Sequence, residues 1–193
     1  MYGRNFKPNI LQISQCLKND DKKPISRWGY YERVNQREGP AMKLVFVNIM
    51  HELYQLDSTA TISQPPVPLA VLNAVTPKTI GTALVDEQTD KVQFDGDVFA
   101  FTLATQFAGK VYRYADDLRA AGKKVILGGI HVTVCPEEAM RHADAIVTGE
   151  AETIWPTVCE DLLTGKLKER YTGSPTPSLR MVPVDYRFFG DRL

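Results

Sequence analysis

The stretch from Lys124 to Trp155, KVILGGIHVTVCPEEAMRHADAIVTGEAETIW, constrains the fold more than any other part of the chain. Lys124–Leu127 reads as a short buried strand that ends in Gly128-Gly129. A loop carrying His131 follows. A helix start comes next at Cys135-Pro136-Glu137-Glu138, with proline at an early helical position and two carboxylates in the first turn. Asp144–Val147 is a second apolar strand, closed by Thr148-Gly149-Glu150. Two strands that each end in glycine before a helix form a βαβα pattern. That pattern puts small residues at the carboxyl ends of the strands, where open α/β sheets bind ligands.

The rest of the chain extends the same alternation. Lys43–Ile49, Thr79–Val85 and Val98–Leu103 are apolar runs of strand length. The almost continuous apolarity of Val98–Leu103 suits a central parallel strand. Pro66–Val75 and Gln106–Ala121 read as helices, the first with prolines in its first turn and the second capped by Gly122. Glu137–His142 is a short helix, and Thr153–Leu163 is the last, ended by Gly165. The expectation is an α/β fold. It has a doubly wound, parallel, five-stranded sheet of flavodoxin-like (Rossmann-like) type, in the order 2-1-3-4-5 with right-handed crossovers. The switch point then lies between the first and third strands.

Charge divides the chain. Residues 1–41 hold 8 Lys and Arg against 4 Asp and Glu, a net of +4, and residues 42–193 hold 15 against 19, a net of −4. Residues 1–41 show no sustained period and read as an irregular N-terminal extension. Residues 42–173 read as the folded domain, and the Pro- and Ser-rich 174–193 as a linker or tail. The whole chain is formally neutral, which implies no general attraction to nucleic acid. No apolar run approaches the roughly 20 residues of a membrane span. Charged residues at Lys18, Asp20, Asp21, Lys22 and Lys23 argue against a secretory signal, so a cytoplasmic location is the default expectation. Cys16, Cys135 and Cys159 are odd in number and widely spaced, which argues against a disulfide framework and against a zinc site. No Gly-x-Gly-x-x-Gly follows the first strand, which counts against a dinucleotide, and neither a Walker sequence nor a Gly-x-Ser-x-Gly elbow occurs.

Several short motifs occur together in one order. They are Pro65-Pro66-Val67-Pro68-Leu69, Asp86-Glu87, Gly128-Gly129-Ile130-His131, Pro136-Glu137-Glu138-Ala139, His142-Ala143-Asp144, and Gly149-Glu150-Ala151-Glu152 with Trp155-Pro156. Gly165-Lys166-Leu167 and Tyr171 follow. Over about Met42 to Asp185 this set resembles the N-terminal cobalamin (B12)-binding domain of B12-dependent radical S-adenosylmethionine enzymes. The resemblance implies a module that holds base-off cobalamin and partners a radical S-adenosylmethionine barrel, as part of a methyltransferase- or cyclase-type enzyme. Such a barrel needs three clustered cysteines for its iron–sulfur cluster, and this chain has none. The chain is therefore expected to hold no iron–sulfur cluster and to lack catalysis alone, as a truncated, split or free-standing module. The rival reading is a flavodoxin-like protein that holds a flavin or serves as a non-binding interaction module.

In the expected topology the loops Asn48–His51, Thr102–Gln106, Gly128–Thr133 and Thr148–Glu152 converge on one sheet edge. The candidate cofactor residues are Thr102, Thr105, Gln106, Gly128, Gly129, Ile130, His131, Gly149, Glu150 and Glu152. Glycines would let the flat nucleotide tail approach the backbone, and hydroxyls would meet its phosphate and amides. Gly128-Gly129 could equally just end a strand, and the threonines cap helices. Glu150 and Glu152 could cap the next helix or hydrogen-bond a corrin side chain. His51 lacks the Asp-x-His-x-x-Gly context of a cobalt ligand and reads as a loop histidine. His131 carries over from the family's Gly-Gly-x-His signature, with a role in the pocket or in shaping the loop. No residue is assigned to a metal.

Overall fold

A computed structural model describes residues 40, 42–49, 65–88, 90, 92–174 and 184–192. The readings of residues 1–39, of His51 and of residues 175–183 lie outside these residues. The strands are β1 (Met42–Asn48), β2 (Ile80–Asp86), β3 (Val98–Thr102), β4 (Lys124–Gly128), β5 (Ala145–Thr148) and β6 (Arg170–Thr172). All pair in parallel, in the order β2-β1-β3-β4-β5-β6. The expected order holds, with a correction: the sheet has six strands, not five. The added strand was illegible because RYT offers one buried residue, Tyr171, between two exposed ones.

Side-chain alternation in each strand builds two cores. Leu44 and Phe46, Val98 and Ala100, Ile126, and Ala145 and Val147 face one side. Val45 and Val47, Phe99 and Phe101, Val125 and Leu127, and Ile146 face the other. The first face is covered by α1 (Val67–Val75) and α5 (Trp155–Leu163), the second by α2 (Ala108–Ala120), α3 (Ile130–Val134) and α4 (Pro136–Ala139). Pro66 and Pro68 sit at the start of α1, where a missing N–H costs nothing. The α2 helix ends in a Schellman pair: Gly122, at φ +77°, donates to the Arg119 carbonyl, and Lys123 donates to that of Leu118.

Two connections differ from the sequence reading. His131 is not in a loop; it lies in the single-turn helix α3, which α4 follows directly after Cys135. The crossovers from β3 to β4 and from β4 to β5 place their helices on the second face. The next step in the same direction, β5 to β6, carries α5 across the first face instead. That connection has the opposite hand, and it sets α5 beside α1. Residues 184–192 pack against the same face: Phe189 is 1% exposed, and the Phe188 ring meets Phe46 edge-on at 5.6 Å.

Candidate functional site

Between α1 and α5, over the carboxyl ends of β3, β4 and β5, lies a cleft of about 610 Å³ including its open mouth. Ala100, Ile126 and Val147 form its floor, Leu69 and Leu72 one wall, and Trp155 the other. Thr102, Gly128, Gly149, Glu150 and Glu152 lie around it. The space exists because β3 places Ala100 on this face and β4 ends in Gly128, so neither contributes a bulky side chain. The walls are tied together. Trp155 Nε1 donates to Thr76 Oγ1 at 2.9 Å, and Thr76 donates to the Leu72 carbonyl at 2.8 Å. This joins the start of α5 to the end of α1. A mostly apolar lining with a few polar groups is the usual composition of small-molecule sites.

The two adjacent glycines do different work. Gly129 has φ +101° and ψ −176°, a backbone state confined essentially to glycine. A Cβ there would meet the Leu103 nitrogen at 2.7 Å and its carbonyl oxygen at 2.9 Å. Its missing side chain is therefore required by the protein's own backbone: Leu103 donates to the Gly128 carbonyl, and His131 donates to that of Leu103. Gly128 is the open position. A Cβ there would make only ordinary contact with Val147, at 3.6 Å and beyond, and larger groups would extend toward the cleft. Thr133, not singled out in the sequence, links the rim loops. Its hydroxyl accepts from the Gly149 N–H at 3.0 Å and donates to the Gly129 carbonyl at 3.1 Å.

One polar atom in the cleft has no partner. Among the described residues, Glu152 Oε2 is enclosed and takes no hydrogen bond. A buried acceptor left unmade costs about 1–3 kcal/mol. An N–H or O–H group on a bound molecule would satisfy it. Glu150 points to solvent, and its backbone forms a bridge with Ser174.

The remaining sequence candidates lie away from the cleft. Thr105 and Gln106 occupy an exposed 3₁₀ turn, and Ile130 is 66% exposed. His131 is buried on the second face. Its Nδ1 lies 3.2 Å from Thr105 Oγ1 and its Nε2 3.0 Å from the Tyr112 hydroxyl. Burial, and then the nearby Glu138 carboxylate, push the Tyr112 hydroxyl up to about 12, so it stays protonated and neutral. Asp86 caps its own turn, accepting from Asn48 Nδ2 and the Gln88 N–H. His142 stacks on Tyr112 with 4.1 Å between ring centroids and meets Asp116 at 3.0 Å. Cys159 is buried among apolar side chains, and that burial pushes its thiol up to about 12.

Residues 78–158 match the sequence profile of the B12 binding domain. Two curated relatives come from Chlorobaculum tepidum. Bacteriochlorophyllide d C-8(2)-methyltransferase is 43% identical over 122 residues, which is 61% of this chain and 27% of that enzyme. Bacteriochlorophyllide d C-12(1)-methyltransferase is 34% identical over 128 residues, 64% of this chain and 28% of that enzyme. The chain thus spans a little over a quarter of the length of these relatives. Among solved structures, the cobalamin-dependent S-adenosylmethionine radical enzyme OxsB, with aqua-cobalamin bound, superposes with a TM-score of 0.51 at 14% identity. That match covers 66% of this chain and 19% of OxsB, and at such identity it speaks to the fold. Sequence profile, relatives and fold agree in likening the α/β domain of this chain to the B12-binding domains.

Proposed function

We propose that this domain holds cobalamin in the base-off state, with the nucleotide tail in the cleft between α1 and α5, and presents it to a radical S-adenosylmethionine domain. The observation that carries this reading is the cleft itself: apolar walls suited to a flat heteroaromatic base, an open glycine at the rim, and a buried carboxyl oxygen with no partner. Glu152 Oε2 would accept a hydrogen bond from an N–H of the cofactor. Gly128 would let the tail pass the end of β4, and Thr102 would offer a hydroxyl at the rim. Exposed Ile130 and Val134 on α3 would lie against the corrin, and His131 with Thr105 would hold α3 in place from beneath. The bound cobalamin supplies an alkyl-transfer centre; the chain's own residues bind it, orient it and keep water from its tail.

Relatives that are methyltransferases of bacteriochlorophyllides support a partnership in C-methylation of a large planar substrate. The domain alone carries out no radical step in this reading. The test is titration of the purified chain with hydroxocobalamin, followed by visible absorbance. One equivalent should bind with the spectral change of base-off corrin. Gly128→Val should weaken binding at least tenfold with circular dichroism unchanged. Unaltered affinity in that variant would move the tail elsewhere, and binding of flavin with no uptake of cobalamin would favour the rival flavodoxin-like reading.

A further inference from the structure

On the face opposite the cleft, His131, Cys135 and Glu138 offer a nitrogen, a sulfur and an oxygen that all lie within 4.8 Å of one another. The spacing i, i+4, i+7 puts them on one side of the consecutive short helices α3 and α4, although Cys135 breaks the helix between them. The Cys135 N–H nevertheless donates to the His131 carbonyl at 2.7 Å, so the register continues. We propose that these three residues form a divalent-metal site of the zinc class.

The chemistry fits that class. Zinc takes imidazole, thiolate and carboxylate in a tetrahedral shell, with bonds of about 2.0–2.3 Å. Ligand atoms in such a shell lie roughly 3.5 Å apart by that geometry. The His131 Nε2 to Glu138 Oε1 separation is already 3.6 Å. Side-chain rotation of Cys135 and Glu138, both only partly buried, closes the rest. The outer contacts also suit a metal ligand. His131 is 5% exposed and held by Thr105 at Nδ1, so an Nδ1–H donated to Thr105 Oγ1 leaves the Nε2 lone pair turned to the site. The Tyr112 hydroxyl at Nε2 occupies the position a metal would take and has to give way, and water fills the fourth coordination position. The metal would lock α3 to α4 and stiffen the backbone that begins at Gly129.

The experiment uses the whole chain, reduced and free of cobalamin, titrated with Co²⁺ alone. The expected result is one Co²⁺ per chain with a near-ultraviolet thiolate-to-cobalt band and the intense visible bands of a tetrahedral ion, both abolished by one equivalent of Zn²⁺. Cys135→Ser should remove the thiolate band, and Glu138→Gln should weaken binding at least tenfold; circular dichroism matching the parent shows that each variant folds. Cys159→Ser and Cys16→Ser should keep the band, and Zn²⁺ should raise the Tm of the parent and not of Cys135→Ser. Absence of a thiolate band in the parent, or its survival in Cys135→Ser, overturns the proposal. Neither outcome touches cobalamin binding, which is read separately by hydroxocobalamin titration.

Discussion

Gly128 and Gly129 stand side by side, yet their reasons for being glycine are unrelated. At Gly129 any side chain meets the Leu103 backbone and the φ of +101° is strained for an L residue, a cost of about 1–3 kcal/mol. At Gly128 the direction is open. We therefore expect Gly129→Ala to lower the urea midpoint by an amount corresponding to 1–3 kcal/mol in the same range, roughly, while Gly128→Ala stays within about 0.5 kcal/mol of the parent. Equal losses at the two positions would contradict the geometry. The motif Gly-Gly-x-His was legible in the sequence, but which glycine met the backbone and which met the cleft was not. That depends on Leu103, which is distant in sequence and adjacent only after β3 and β4 pair. His131 shows the same limit. A histidine after a strand end can turn to either face of a sheet, and Tyr112 and Thr105 decide the face here.

Among the elements, β6 was the least visible in sequence and the most dependent on contact. It has three residues, and the close approach beyond it is set by Gly173, whose Cβ would collide with the Glu150 carbonyl oxygen. The Gly173 N–H donates to the Thr148 carbonyl at 2.8 Å, so the same residue joins the edge strand to the rim of the cleft. Gly173→Ala should force this edge apart, with a destabilisation of about 1–3 kcal/mol. Faster amide exchange should be confined to β6 and the Thr148–Glu150 turn. Uniform exchange across the sheet would show that β6 is not a separate edge unit. The unexpected hand of the β5–β6 connection belongs at this scale as well. A connection of the usual right hand from β5 to β6 would have put α5 on the second face. The apolar residues Trp155, Val158, Cys159 and Leu162 instead bury against Phe46 and Tyr171 on the first.

Over the whole molecule, one titration reports how the core is closed. The Cys159 thiol is raised from 9.0 to about 12 by burial under α5, offset in part by its hydrogen bond to Thr76. The folded state then keeps a proton that the unfolded chain releases above pH 9. Its stabilising effect is fully present below that pH and declines as pH rises toward 12, by at most about 1.4 kcal/mol per pH unit. Urea unfolding at pH 8 and pH 10.5 should show a loss about 2 kcal/mol greater in the parent than in Cys159→Ala. Identical losses would mean the thiol is reached by solvent. Iron offers a second whole-chain measurement: anaerobic reconstitution should leave the purified chain without a stoichiometric cluster and without reductive cleavage of S-adenosylmethionine. The sequence holds three scattered cysteines, and Cys135 and Cys159 are fixed on opposite faces of the sheet. About four irons per chain would refute this.

What the sequence determined by itself was the alternation of strand-length apolar runs with helices, and from it the parallel sheet and the order of its first five strands. Those features follow from periodicity and from the short connections that sequential elements require, both of which are local. The glycine-terminated strand ends and the chain of short motifs also pointed to the sheet edge where the cleft lies. Only the tertiary structure decided that α5 stands beside α1 to make a cleft, that β6 extends the sheet, and that Glu152 keeps an unpartnered oxygen inside the cleft while His131 turns away from it. It also brought His131, Cys135 and Glu138 within reach of one another. Their i, i+4, i+7 spacing was present in the sequence but was masked by the expectation of a loop at His131. Each of these depends on which face a segment buries, and that is settled by packing against residues far away in the chain.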